Sequence, residues 1–212
     1  MGESVQLDVA VPSSPVLFSS DEPAAGAIIV AAVGEFATRG FHGTSVRDIA
    51  SAAGVSVGTL YNHFGSKHQL LAVIMNRGMD DLLVKTEDAL FHAGADPADR
   101  LRAIVGVHVG VHANAPRESL IGNSELRSLE PAALALLVAK RDAQQRMFDR
   151  VVDDGVARGC FSTELPRETA RFIVTACTAV AAWFRLDGKL TVDETIARYQ
   201  DIALQAAGYR GP

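Results

Sequence analysis

Residues Thr44 to Lys67, TSVRDIASAAGVSVGTLYNHFGSK, constrain the fold of this chain more tightly than any other stretch. Val46, Ile49, Ala50 and Ala53 fall at i, i+3, i+4 and i+7, one apolar face of a short helix, and Thr44 stands where its N-cap would be. Gly54 can take the left-handed conformation that ends a helix and turns the chain. Ser56 can cap a second short helix that points Leu60 and Phe64 inward and spreads Val57, Thr59, Tyr61, Asn62 and His63 over its other faces. Ser66 opens a third helix, with Gln69 three residues later completing a capping box. Two short helices joined at a glycine, the second polar and aromatic outside, suit insertion into a DNA major groove.

The spaced run Thr44, Arg47, Ile49, Ala50, Ala53, Gly54, Val55, Ser56, Gly58, Thr59, Leu60, Tyr61, His63, Phe64, Ser66, Lys67 and Leu70 resembles the N-terminal domain of TetR-family regulators. The resemblance covers the first third of the chain and implies an operator-binding head. With DNA as partner, the Thr44 and Thr59 hydroxyls can donate to phosphate oxygens, and Arg47 and Lys67 bring charge to the backbone. Tyr61 and His63 match family positions that contact phosphates; the competing reading for both is packing against neighbouring helices. Gly58 lets the second helix approach the bases, and Val57 and Asn62 are the candidates for base edges, Asn for adenine and Val for a thymine methyl.

The net charge of −5 argues at first sight against a nucleic-acid partner, but it is unevenly placed. Residues 1 to 22 hold four acids and no Lys or Arg, whereas residues 23 to 80 come to +1. DNA binding therefore rests on local geometry, and the expected affinity for random sequence is modest. The acidic segment 1–22, with Pro12, Pro15 and no sustained periodicity, reads as a flexible arm. Cys160 and Cys177 lack metal-site spacing and read as buried thiols in a reducing compartment. No run of 18 apolar residues and no basic, apolar leader is present, so the expected place is the cytoplasm, without a membrane partner.

Further along, the apolar periods are helical throughout and no period-2 run is long enough for a strand, which predicts an all-α protein of about nine helices. Pro23 opens a first helix, after Asp21 or Glu22 as cap, that Gly40 ends. The expected division is an arm over 1–22, a helix-turn-helix head over 23–66, and a ligand-binding and dimerisation part over 67–212. A long helix from Ser66 links head to body. Others are expected from Pro97 to Asn114, Arg117 to Leu129, Ala132 to Ala157, Arg167 to Leu186, and Thr191 to Ala207.

Asn123-x-Glu125-x-Arg127, Gly159-Cys160-Phe161 and Trp183-Phe184-Arg185 before Gly188-Lys189-Leu190-Thr191 look like a subgroup of that family that senses acyl-CoA thioesters in fatty-acid and steroid degradation. Such a ligand needs an apolar tunnel with basic groups at its mouth. Leu101, Ile104, Val105, Leu134, Met147, Phe148 and Ile173 are candidates for the tunnel, with the plain core as the alternative. Arg127, Arg141 or Arg146 are candidates for the mouth. His108 and His112, one turn apart on the apolar face, fit either the pocket wall or, with Glu125 or His92 as third ligand, a metal. The wall is the better reading, so no metal or cofactor is expected.

Motifs of nucleophile elbows, phosphate loops and zinc proteases are absent, so no enzyme is expected. The sequence thus predicts a homodimeric transcriptional repressor, released from double-stranded operator DNA by a small hydrophobic effector such as an acyl-CoA. By the same resemblance, the last two helices would dimerise through Ile173, Val180, Phe184, Ile196, Ile202 and Leu204. The alternative is a helical enzyme or ligand carrier that merely retains the head.

Overall fold

The computed structural model describes residues 23–211, all helices and connections with no strand among them. The expected arm and the two expected caps of the first helix lie outside those residues. In order, the helices are α1 (Pro23–Gly43), α2 (Val46–Ala52), α3 (Val57–Phe64), α4 (Lys67–His92), α5 (Pro97–Asn114) and α6 (Pro116–Ser124). After a 3-10 turn at Leu126–Ser128 come α7 (Pro131–Ala157), α8 (Pro166–Thr178), the single turn α9 (Val180–Trp183) and α10 (Val192–Ala206).

Local chemistry sets most of these boundaries. Pro23 opens α1, whose regular geometry breaks at Gly40 (φ 71°). Ser56 accepts from Thr59 N and Ser66 from Gln69 N, while Gly54 turns the chain at φ 67°. Thr191 and Glu194 form a reciprocal capping box on α10. Two expected helices are shorter than the apolar pattern suggests. The segment expected from Arg117 to Leu129 ends at Ser124 and tightens into the 3-10 turn. The one expected from Arg167 to Leu186 breaks after Thr178, and Phe184 is extended (ψ 141°). Periodicity counts apolar spacing and is blind to a change of helix axis.

Two apolar clusters hold the molecule. The first joins Ile28, Ile29, Phe36 and Phe41 of α1 to Ile49, Leu60 and Phe64, and continues into Leu70, Leu71 and Ile74 of α4. It also takes in Ile121 of α6, Leu129 and Leu137, so the core of the head runs into the body. By length and composition α1 could cross a membrane, but its largest apolar side chains are the centre of this cluster. The second cluster packs Leu101, Ile104, Val105 and Val109 of α5 against Phe148, Val152, Ile173, Val180 and Leu204. Gly106 allows α10 close to α5: a Cβ there would meet Gln200 Nε2 at 3.1 Å and Ile196 Cγ2 at 3.5 Å.

The side chains expected to dimerise divide accordingly. Ile173, Val180, Phe184 and Leu204 are buried within the subunit and Ile196 is half-buried against α5; only Ile202 is exposed. The apolar side chains that α8, the α9 region and α10 leave in solvent are Phe172, Trp183, Leu186 and Ile202.

A helix-turn-helix face and a cavity behind it

On the head, Ser45 rather than Thr44 caps α2, in a capping box with Asp48. Thr44 is buried, and its single hydroxyl proton is contested by Gly40 O at 2.8 Å and Glu35 O at 3.2 Å, so this side chain ties α2 to α1 and has nothing left to give a phosphate. Lys67 is likewise turned inward. Its ammonium donates to Phe41 O (2.8 Å) and Thr44 O (2.7 Å) and lies 4.2 Å from the Phe41 ring centroid. Partial burial lowers its pKa from the ordinary lysine value, against the nearby Glu125 charge. Lys67 is therefore a clamp between the start of α4 and the end of α1. Val57 is half-buried against the head core, and the Thr59 hydroxyl pairs with Ser56 Oγ at 2.8 Å.

Of the candidate contact residues, α2 and α3 leave Arg47, Gly58, Tyr61 and Asn62 exposed, with His63 half-buried beside them. Of the other head cations, Arg39 pairs with Glu35 (3.4 Å) and lies 3.7 Å from Asp48. The face is thus mostly neutral and hydrogen-bonding. It suits a mixture of groove and phosphate contacts better than capture by charge.

Behind the head, α4, α5, α6, α7 and α8 enclose a cavity of about 890 Å³. Ile74, Met75, Met79, Leu82, Val111, Leu137 and Val174 supply apolar wall, and Lys85, Arg141 and Arg171 supply cations. Lys85 is paired with Asp81 at 2.6 Å, and Arg141 donates to Gly122 O at 2.7 Å near the end of α6. Burial pushes the Glu118 carboxyl up from the usual carboxylate range. His108 and His112 line the cavity with stacked rings 4.6 Å apart. Burial lowers both pKa values, that of His108 well below the ordinary value, so both rings are neutral near neutral pH.

Of the sequence-predicted ligand residues, the cavity takes His108 and His112, and of the three candidate arginines only Arg141. Leu101, Ile104, Val105, Phe148 and Ile173 belong to the second apolar cluster and Leu134 packs on the first. Met147 lines shallow grooves near Arg150 on the far side of α7. Arg127 and Arg146 are exposed and do not line the cavity. On α5 the cause is geometric: the stripe at 101, 104 and 105 meets α8 and α10, and only the last turns of the helix reach open space. Among the described residues no three His, Cys, Asp or Glu side chains gather as metal ligands. Missed by sequence reasoning were Gln144, Thr86, Thr178 and Glu118, three of which stand in polar stretches of their helices that gave no local signal of burial.

A helix-turn-helix head, packed on a helical body with a mixed apolar and cationic cavity, defines the class: a ligand-responsive DNA-binding regulator. Residues 28–74 match the family described as bacterial regulatory proteins, tetR family, and residues 94–207 match the tetracyclin repressor-like C-terminal domain. The chain belongs to the TetR family of transcriptional regulators. Among its relatives is the HTH-type transcriptional repressor KstR2 of Rhodococcus jostii, 30% identical over 171 residues that cover 80% of this chain and 83% of that protein. The structure of the ketosteroid transcriptional regulator KstR2 of Mycobacterium tuberculosis is similar at a TM-score of 0.83, with 26% identity, over 92% of this chain and 100% of that one. A bacterial regulatory protein in the tetR family from Rhodococcus RHA1 reaches a TM-score of 0.84 with 29% identity, over 90% and 100%.

Proposed function

We propose that this regulator is a homodimeric repressor whose operator contacts come from Arg47, Gly58, Tyr61, Asn62 and His63, with Val57 and Thr59 at the margin. Residues 23–66 act as the reader and residues 67–211 as sensor and dimer platform. Phe172, Trp183, Leu186 and Ile202 of the α8–α10 region form the dimer face, because they are the large apolar side chains that this last part of the chain leaves exposed. The effector is a small hydrophobic molecule such as an acyl-CoA thioester, its acyl part along the apolar wall and its anionic part toward Lys85, Arg141 and Arg171.

One observation carries the reading: α6 is a wall of both compartments. Ala115, Glu118, Ser119, Gly122 and Asn123 line the cavity, while Ile121 lies in the head core. His42 at the end of α1 lies 3.2 Å from Ser128 Oγ, whose proton goes to Glu125 Oε2 at 2.9 Å, so the imidazole donates across the same junction. A ligand that displaces α6 or the adjoining α4 shifts the head and, in a dimer, the separation of two heads that must match major grooves about 34–36 Å apart. The test is titration of operator-bound protein with acyl-CoA esters of increasing chain length. Release by at least one ester is expected; no release by any of them overturns the thioester reading.

A further inference from the structure

Around Gln144 the polar side chains of the cavity form a network whose hydrogen-bonding directions are fixed. Thr86 Oγ1 donates to Leu82 O at 2.7 Å, so toward Gln144, 3.0 Å away, it can only accept. The Gln144 atom facing Thr86 is therefore the amide nitrogen, and the orientation of this side chain is fixed by chemistry. The same nitrogen lies 3.5 Å from His108 Nδ1, which accordingly carries no proton, and His108 Nε2–H points to Thr178 Oγ1 at 2.9 Å. His112 Nδ1 lies 2.8 Å from His108 O and must donate to it, which leaves His112 Nε2 as a bare acceptor.

The residues of this network come from α4, α5, α7 and α8 and all line the cavity except Thr86. At its end stands Gln144 Oε1. Gln144 is 2% exposed, and this oxygen has no hydrogen-bond partner among the described residues. Gln144 lines the cavity, and the capacity left over on it and on His112 is that of acceptors, Gln144 Oε1 and His112 Nε2, with no spare donor from either group. An apolar chain pressed against the amide would strand a buried acceptor, whereas a hydroxyl or N–H would satisfy it.

We infer that the effector carries a hydrogen-bond donor, a hydroxyl or an N–H, at the part that lies against Gln144, so that the cavity selects a hydroxylated or N–H-bearing hydrophobic molecule over a plain hydrocarbon chain. This deepens the proposed effector role of the same cavity and rests on it, but not on the thioester. Gln144 is the specificity-determining residue, and Thr86 and His108 are the positioning residues that engage its amide nitrogen and leave its oxygen unpartnered.

The probe pair is 1-octanol and heptyl methyl ether, isomers of equal heavy-atom count of which only the alcohol donates. Titrated calorimetrically into the full chain, the alcohol should bind on the order of ten-fold more tightly. In Gln144→Leu, checked for folding by circular dichroism, that preference should fall toward unity. Equal affinities in the unmodified protein overturn the inference, with no variant needed. Full preference in a folded Gln144→Leu overturns it too. A parallel arm adds octanoyl-CoA and 8-hydroxyoctanoyl-CoA to operator-bound protein. If the alcohol is preferred but neither thioester releases DNA, the donor inference stands and the thioester reading falls. If both thioesters release DNA while the alcohol shows no preference, the reverse holds.

Discussion

The surface proposed to face DNA and the cavity proposed to take the effector are built in opposite ways. The first is local: Arg47, Gly58, Tyr61 and Asn62 lie within sixteen consecutive residues, on two short helices whose caps and turning glycine are written beside them. The second is distributed, since Met75, His112, Ser119, Gln144 and Thr178 come from five different helices. The head face is also open and interchangeable in energy, whereas the cavity wall is a buried network in which one group's proton fixes the next. The difference teaches where each part can change. Head residues can be altered singly for affinity, but cavity residues are tied to stability.

The largest expected effect attacks the boundary between the two. Leu60→Ala removes a fully buried side chain from the head cluster and should cost about 2–5 kcal/mol, read by thermal unfolding. Because that cluster reaches Ile121 and Leu137, a single unfolding transition should move down as a whole; two separated transitions would make head and body independent. Next comes Asn62→Ala, which should weaken operator binding by about 1–3 kcal/mol in a mobility-shift or anisotropy titration, with unchanged unfolding temperature. Lys67→Met should do the opposite, lowering stability by about 1–2 kcal/mol through the loss of two charge-assisted hydrogen bonds. Its operator affinity should fall only as far as the head loosens, so a large affinity loss at full stability would restore Lys67 to the phosphate contacts.

Acid should act on the cavity through its two buried imidazoles. The pKa values of His108 and His112 are lowered in the folded state from about 6.5, so the unfolded chain binds more protons below that value. Their contribution is intact above pH 6.5 and is lost as pH falls toward their folded values, by at most about 1.4 kcal/mol per pH unit for each ring. The acid slope of unfolding temperature should shrink in His112→Gln. Smallest of all, Arg127→Ala and Arg146→Ala should leave stability within about 0.5 kcal/mol and effector binding unchanged, since both side chains are exposed and outside the cavity.

The same contrast decides what the sequence could disclose. Ser56, Gly54 and the spacing of Ile49, Leu60 and Phe64 specify the helix-turn-helix within one window, so its fold and outer face were legible from local rules. Thr44 and Lys67 were not: their types suit a phosphate, and only the return of Phe41 and Gly40 beneath them shows that the Thr44 proton and two of the three Lys67 donors are already used. In the body the helices were legible from periodicity, except where α6 and α8 change direction. The cavity was not, because spacing marks a residue as inward without saying whether it meets another helix or a void. Leu101 and His112 share a stripe and have different fates.

The central claim is that cavity and head are two ends of one equilibrium, coupled through α6. Linkage makes this measurable in both directions: an effector that weakens operator binding by some factor must itself be bound more weakly, by the same factor, in the presence of operator. The decisive measurement is the dissociation constant of one releasing acyl-CoA for the full-length protein, free and saturated with operator DNA, beside the operator constant with and without that ester. Two equal factors, on the order of ten-fold or more, are the predicted result. An ester that binds the cavity with the same constant whether or not operator is present would contradict the account.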